Sequence, residues 1–164
     1  MTQLITSHVN LKESVRRKVV NLINQSLADT LDLQLQIKQA HWNVRGHDFI
    51  AVHELLDKIE EDVENGADLL AERIAQLGGT AEGTIQHIQA KTRLAEYPVG
   101  IHDSTRHLKA LTNALATFAN AARKAIDETD ELGDKDAADI FTEVSRAADK
   151  NLWFIEAHLY KKSE

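Results

Sequence analysis

The chain has 164 residues, with 19 Lys and Arg against 26 Asp and Glu, a formal net charge of −7 and no cysteine. That length suits one domain with a real core, and the missing cysteines exclude disulfides and thiolate metal sites. No apolar run approaches the roughly 18 residues of a membrane span, and no secretion signal opens the chain, so the expected location is cytoplasmic; the acidic balance argues against general phosphate-backbone binding and favours attraction of cations.

Ala, Leu, Gln, Glu and Lys are abundant, and with one proline and seven glycines they favour helix throughout; nothing reads as a strand. Residues 1–164 read as a single domain, with 1–10 as a flexible N-terminal segment. A first helix is expected from about Leu11 to Val44, carried by Val19, Leu22, Ile23, Leu27, Leu33 and Ile37, with Gly46 as its C′ residue. A second runs from about Asp48 to Leu77 and stops at Gly78-Gly79. The connection from Gly78 to His102, about 25 residues, holds the only proline, Pro98, and has room for a short helix over Ile85–Gln89. The third helix begins at Asp103 or Ser104, either a good N-cap, and reaches about Thr129. The fourth starts after Gly133-Asp134 and carries Ile140, Phe141, Val144, Ala148, Leu152, Ile155 and Leu159. Short links make each flanking pair antiparallel, while the long middle link can cross the bundle. The fold class is therefore all-α, a four-helix bundle with the long-crossover connectivity of ferritin-like folds.

The second helix carries His53, Asp57, Asp68 and Glu72, residue types that an iron site uses. At about 100° per residue from His53, Asp57 falls near 40°, Asp68 near 60° and Glu72 near 100°, roughly 140° from the centre of the helix's apolar face. The four should point out of the bundle. No histidine has Glu three residues before it, so the inward-facing Glu-x-x-His di-iron site is disfavoured. His53 and Asp68 also lie roughly 22 Å apart along the axis, too far for one ion. A two-fold partner running antiparallel would bring the upper pair of one helix onto the lower pair of the other. On spacing alone, a solvated acidic face that includes Glu54, Glu60, Glu61, Asp62 and Glu64 is the simpler reading.

The stretch Lys38-Gln39-Ala40-His41-Trp42-Asn43-Val44-Arg45-Gly46, then Phe49-Ile50-Ala51-Val52-His53-Glu54-Leu55-Leu56-Asp57, resembles the Dps family, the DNA-binding proteins from starved cells or mini-ferritins. Asp68-Leu69-Leu70-Ala71-Glu72-Arg73, Gln76-Leu77-Gly78-Gly79 and Lys150-Asn151-Leu152-Trp153-Phe154-Ile155-Glu156 extend the likeness over nearly the whole chain. The resemblance implies a hollow dodecamer built of two-fold dimers, with a ferroxidase centre at each two-fold interface. His41, His53 and Asp57 of one subunit would meet Asp68 and Glu72 of the next, with Glu72 bridging two irons. It implies oxidation of two Fe²⁺ by one hydrogen peroxide and storage of Fe³⁺ mineral, a protection against oxidative stress. Zn²⁺ is a candidate competitor for the histidine-rich side, which the sequence does not decide. Trp42, beside His41, is a candidate acceptor of stray oxidising equivalents or an interface aromatic; Trp153, in an apolar stretch, reads as a packing residue. Acidic residues around the third-to-fourth helix turn, Asp127, Asp130, Asp134, Asp136 and Asp139, are candidates for a three-fold entry pore, Asp139 with Arg123 as its partner, or for helix caps in the case of Asp134. His8, His47, His87, His102, His107 and His158 read as surface residues.

DNA-binding members of that family carry a lysine-rich tail, and this chain departs from the pattern. Its first eleven residues hold no Lys or Arg, Lys12, Arg16, Arg17 and Lys18 fall where the first helix should form, and Lys161-Lys162 is brief and followed by Glu164. DNA binding is not expected. The competing readings are a nucleoid-associated, DNA-compacting protein with incidental iron chemistry, and a helical assembly with a vestigial metal site.

Overall fold

The structure is a computed structural model and describes residues 4–160. These form five helices: α1 (Glu13–Asn43), α2 (Phe49–Gln76), α3 (Ile85–Lys91), α4 (Ser104–Glu131) and α5 (Lys135–Leu159). Helix α1 packs on α2 and α4, and α5 packs on α4 and α2, while the short α3 lies against α1 within the crossover. The all-α, ferritin-like bundle expected from the periodicity is the fold. The apolar stripes meet in one core, in which Ile23, Leu33, Ile37, Leu56, Ile59, Leu70, Leu111 and Phe141 are fully buried. Each such side chain contributes roughly 1.5–3 kcal/mol of burial. No helix of the described residues is long and apolar enough to cross a membrane.

Two of the helix ends are closed by the same device. At the end of α2, Gly78 (φ 80°) donates its N–H to the Ala75 carbonyl and Gly79 to that of Ile74. At the end of α4, Gly133 (φ 81°) donates to Asp130 and Asp134 to Thr129. Both are Schellman closures, which satisfy carbonyls the helix leaves orphaned. Gly78 is doubly constrained, since a Cβ there would strike the Ile5 carbonyl. Gly46 differs from its expected role. Val44 caps α1 in an extended conformation, Arg45 follows it and donates to the His102 carbonyl (2.8 Å), and Gly46 (φ 142°) instead turns the chain into α2.

Residues 1–3 of the segment expected to be flexible lie outside the described residues. Further on, the Ile5 N–H donates to the Gly78 carbonyl (2.8 Å) and the Ser7 hydroxyl to the Gln76 carbonyl (2.9 Å), so the segment lies along the end of α2. The crossover is held by polar side chains of α1. Asn24 bonds both Thr80 and Glu82, Gln25 donates to the Lys91 carbonyl, and Gln36 to that of Ala95. Asp29, buried, accepts from the Arg93 backbone N–H (2.7 Å) and Nε (2.8 Å). These bonds fasten the crossover to α1 and leave the acidic stripe of α2 uncovered. Trp153 departs from its packing role: it is exposed, against Phe154 at a ring separation of 5.0 Å.

Candidate metal centre

The corner between α1 and α2 is fixed from behind. Besides the bond from Arg45 to His102, the Ser104 hydroxyl donates to Asp48 Oδ2 (3.0 Å), joining the starts of α2 and α4. This holds His41, at the end of α1, against His53, on the first turns of α2. Their rings stack with centroids 3.7 Å apart and planes inclined by 23°. His41 Nδ1 lies 3.2 Å from the His53 carbonyl, and His53 Nδ1 lies 3.0 Å from the His41 carbonyl. A carbonyl oxygen can only accept, so both rings carry their proton on Nδ1 and keep the Nε2 lone pair for a Lewis acid. This is how metal-ligating histidines are ordinarily oriented and set in one tautomer.

Asp57, one turn beyond His53, completes the group. One ligand atom from each of His41, His53 and Asp57 lies within 4.8 Å of the others. The Asp57 side chain is 52% exposed and that of His41 only 12%, so the pocket is open on its carboxylate side. Nitrogen and hard oxygen donors with vacant positions suit Fe²⁺ better than a closed structural ion. Lys38, one turn before His41, places its ammonium 3.3 Å from Asp57 Oδ1 and 3.2 Å from Glu60 Oε2. Burial opposes its charge, but hydrogen bonds to Glu60 and Asp57 prevail and raise its pKa. Lys38 and Glu60 were not singled out by sequence, although their spacing from His41 and Asp57 is one helical turn.

Asp68 and Glu72 are exposed on the same side of α2, too far along it to touch this group within one chain. Beside Asp68 lies a groove of about 520 Å³ between α1 and α2, bordered by Leu27, Leu31, Gln34, Glu64 and Ala71. At the opposite end of α2 project Trp42 (68% exposed), Phe49 and Ile50. Asp127, Asp130 and Asp139 are exposed near the α4–α5 turn. Asp134 is not available there. It is buried, caps α5 by accepting from the Ala137 N–H (3.1 Å), and accepts from Arg73 at 2.5 Å. Arg123 pairs with Asp149 (2.5 Å) rather than with Asp139. His107 corrects the surface reading: it is buried, and its Nδ1 lies 2.6 Å from the Tyr97 hydroxyl. The other five histidines without a ligand role are exposed. Lys161, Lys162 and Glu164 lie outside the described residues.

Comparison with known proteins gives a consistent result. Residues 20–163 match the family model described as a ferritin-like domain. The "DNA protection during starvation protein" of Agrobacterium fabrum is 49% identical over 154 residues, which are 94% of this chain and 95% of that one. Among solved structures, DpsC from Streptomyces coelicolor aligns with a TM-score of 0.94 at 30% identity, covering 99% of this chain and 95% of that one. The tetragonal form of Mycobacterium smegmatis Dps aligns with a TM-score of 0.92 at 32% identity, covering 97% and 96%.

Proposed function

From the premise that this chain belongs to the ferritin-like family, in its Dps branch, we propose that it is a ferroxidase that oxidises Fe²⁺ at sites shared between two-fold-related subunits. The Fe³⁺ is stored as mineral in a dodecameric cage. Storage of iron and protection are the general role of the family; the shared site and the oxidant are the specific content of the proposal.

The observation that carries it is the reciprocal bonding of His41 and His53, which keeps the Nε2 lone pair of each ring for a ligand, beside an Asp57 carboxylate that pairs with Lys38 and has a ligand atom within 4.8 Å of one from each ring. Three ligands of one chain leave an iron site incomplete. Asp68 and Glu72 supply the missing carboxylates if a second copy runs antiparallel, and then Trp42, Phe49 and Ile50 of each copy meet the groove beside Asp68 of the other. Glu72, with two oxygens, is suited to bridge a pair of Fe²⁺ ions.

The reaction is 2 Fe²⁺ + H₂O₂ + 2 H⁺ → 2 Fe³⁺ + 2 H₂O. Delivering both electrons together takes peroxide to water without the hydroxyl radical that a single Fe²⁺ would release. The chain's part is positional. The two Nδ1–H bonds hold both rings in the ligating tautomer, Asp57 offers charge compensation, and the carboxylate-rich face of α2 concentrates divalent cations. Asp127, Asp130 and Asp139 are the candidates for the entry route of Fe²⁺.

The test is Fe²⁺ oxidation followed by absorbance, peroxide against dioxygen, on protein sized by light scattering. Fast consumption of one peroxide per two Fe²⁺ on a particle near twelve subunits is the expected result. A dodecamer no faster than the uncatalysed control would send the reading back to binding or scaffolding.

A further inference from the structure

Among the described residues, Tyr97 and His107 form a buried hydrogen-bonded pair that the iron site does not use. The phenol oxygen and Nδ1 are 2.6 Å apart, the rings lie nearly parallel at 6.1 Å, and both residues are buried. Burial pushes the Tyr97 hydroxyl far above its usual range, so the phenol keeps its proton. Burial, then His102, lowers the His107 pKa, so the ring is neutral, and in the tautomer with its proton on Nε2 its Nδ1 accepts from the Tyr97 hydroxyl. The same ring has the backbone of Ile101 and Asn43 and the Asp103 carboxylate placed to favour its charged form. Asn43 is two residues from His41 and next to Trp42. Tyr97 also borders two clefts, of about 210 and 460 Å³, through which a small solute can approach its ring.

A phenol becomes far more acidic when it loses an electron, and it gives that electron up more readily when a base already holds its hydrogen bond. The geometry points to Tyr97–His107 as a proton-coupled one-electron donor that quenches oxidising radicals escaping at the His41 end of α1. The oxidant is hydroxyl radical formed when peroxide meets one unpaired Fe²⁺, and this source rests on the function proposed above. One electron leaves Tyr97, directly or after a first loss at exposed Trp42, and reduces the radical to hydroxide. The phenolic proton crosses to His107 Nδ1, leaving a neutral phenoxyl and an imidazolium. A small reductant in solution, of the thiol or ascorbate class, then returns one electron, and the proton goes back to the phenol oxygen. Trp42 has no such base in bonding distance among the described residues and would lose its proton to solvent.

The chain contains only two tyrosines, so the site of the radical can be assigned by substitution. Assembled, iron-free protein is oxidised with azide radical in one arm and loaded with Fe²⁺ and peroxide in the other, and both are read by electron paramagnetic resonance. A tyrosyl signal is expected in the wild type and in Tyr160→Phe, and its loss in Tyr97→Phe. In His107→Gln the signal should move to tryptophan. Formation of the wild-type signal should slow in D₂O, a readout that needs no variant to fold. Absence of a tyrosyl signal in the azide arm, or its persistence in Tyr97→Phe, overturns the pair as a donor. A Tyr97 signal with azide but none while Fe²⁺ is being oxidised overturns its part in iron chemistry. If Fe²⁺ is not oxidised at all, the ferroxidase reading fails separately and the azide arm alone decides whether the pair is redox-active.

Discussion

His41 and His53 hold each other: each ring bonds through Nδ1 to the other residue's backbone carbonyl, at 3.2 and 3.0 Å, and the rings stack at 3.7 Å. Removing either ring therefore removes a ligand and the stacking partner of the other, while the backbone carbonyl that sets the remaining ring's tautomer stays in place. His53→Ala is expected to abolish rapid Fe²⁺ oxidation while light scattering still finds an assembled particle, because His53 lies outside the apolar core. Asp68→Ala should do the same from the other end of α2, although it touches nothing in the histidine group of its own chain. Mixing the two variants under conditions that exchange subunits should restore part of the activity, since some interfaces would then carry an intact set. Normal initial rates in both variants would refute the shared site.

Lys38 places a fixed positive charge where a divalent cation would otherwise satisfy Asp57 and Glu60. Metal must compete with it. Lys38→Met is expected to tighten binding of Zn²⁺, used as a redox-silent probe, by up to about fivefold, since exposed ion pairs of this kind reach roughly 1 kcal/mol. Isothermal titration on the assembled protein measures it. Unchanged or weaker binding would mean that Lys38 orients the carboxylates rather than occupying their charge.

The helices, the crossover and the outward direction of the α2 stripe were legible in the sequence because periodicity and glycine positions report local geometry. The histidine group was legible only through the spacing and resemblance of the His41–Asp57 stretch. What was not legible depended on long-range pairing. His107 looked like any histidine on a helix until Tyr97, brought in from the crossover, gave it a buried partner. Asp134 stood in a run of acidic residues, and only the fold sets it against Arg73, 61 positions away. Gly46 failed as a C′ residue because the extended pairing of Arg45 with Asp103 ends α1 first. Trp153 sits in an apolar stretch yet is exposed in the single chain.

The relatives' name invites a test with DNA. Each subunit carries −7, and the first eleven residues hold no Lys or Arg. The assembled protein is expected not to retard linear duplex DNA in a gel at about 0.15 M salt, where the screening length is about 8 Å and a short-range basic patch would be needed. A retarded band that weakens as salt rises would show such a patch and revive the compaction reading.

Arg73 and Asp134 form the buried ion pair that ties α2 to the start of α5, with side chains 5% and 1% exposed and 2.5 Å between charged atoms. Asp136 approaches the same guanidinium at 3.5 Å from the surface. Removing one partner leaves a buried charge without compensation, which costs about 3–5 kcal/mol. Asp134→Ala also removes the cap of α5, worth about 1 kcal/mol. Asp134→Ser keeps a capping oxygen and loses only the charge, so it should be less destabilised than Asp134→Ala. Arg73→Met combined with Asp134→Ser removes both charges and should recover most of the loss, because an apolar replacement for a buried pair is often neutral. Urea denaturation at one protein concentration gives the ranking, with Asp134→Ala lowest and the double variant nearest the wild type. If the double variant is instead as unstable as the sum of its parts, the pair is stabilised by more than charge compensation, and the packing of the Arg73 stem in the core is the term that was undercounted.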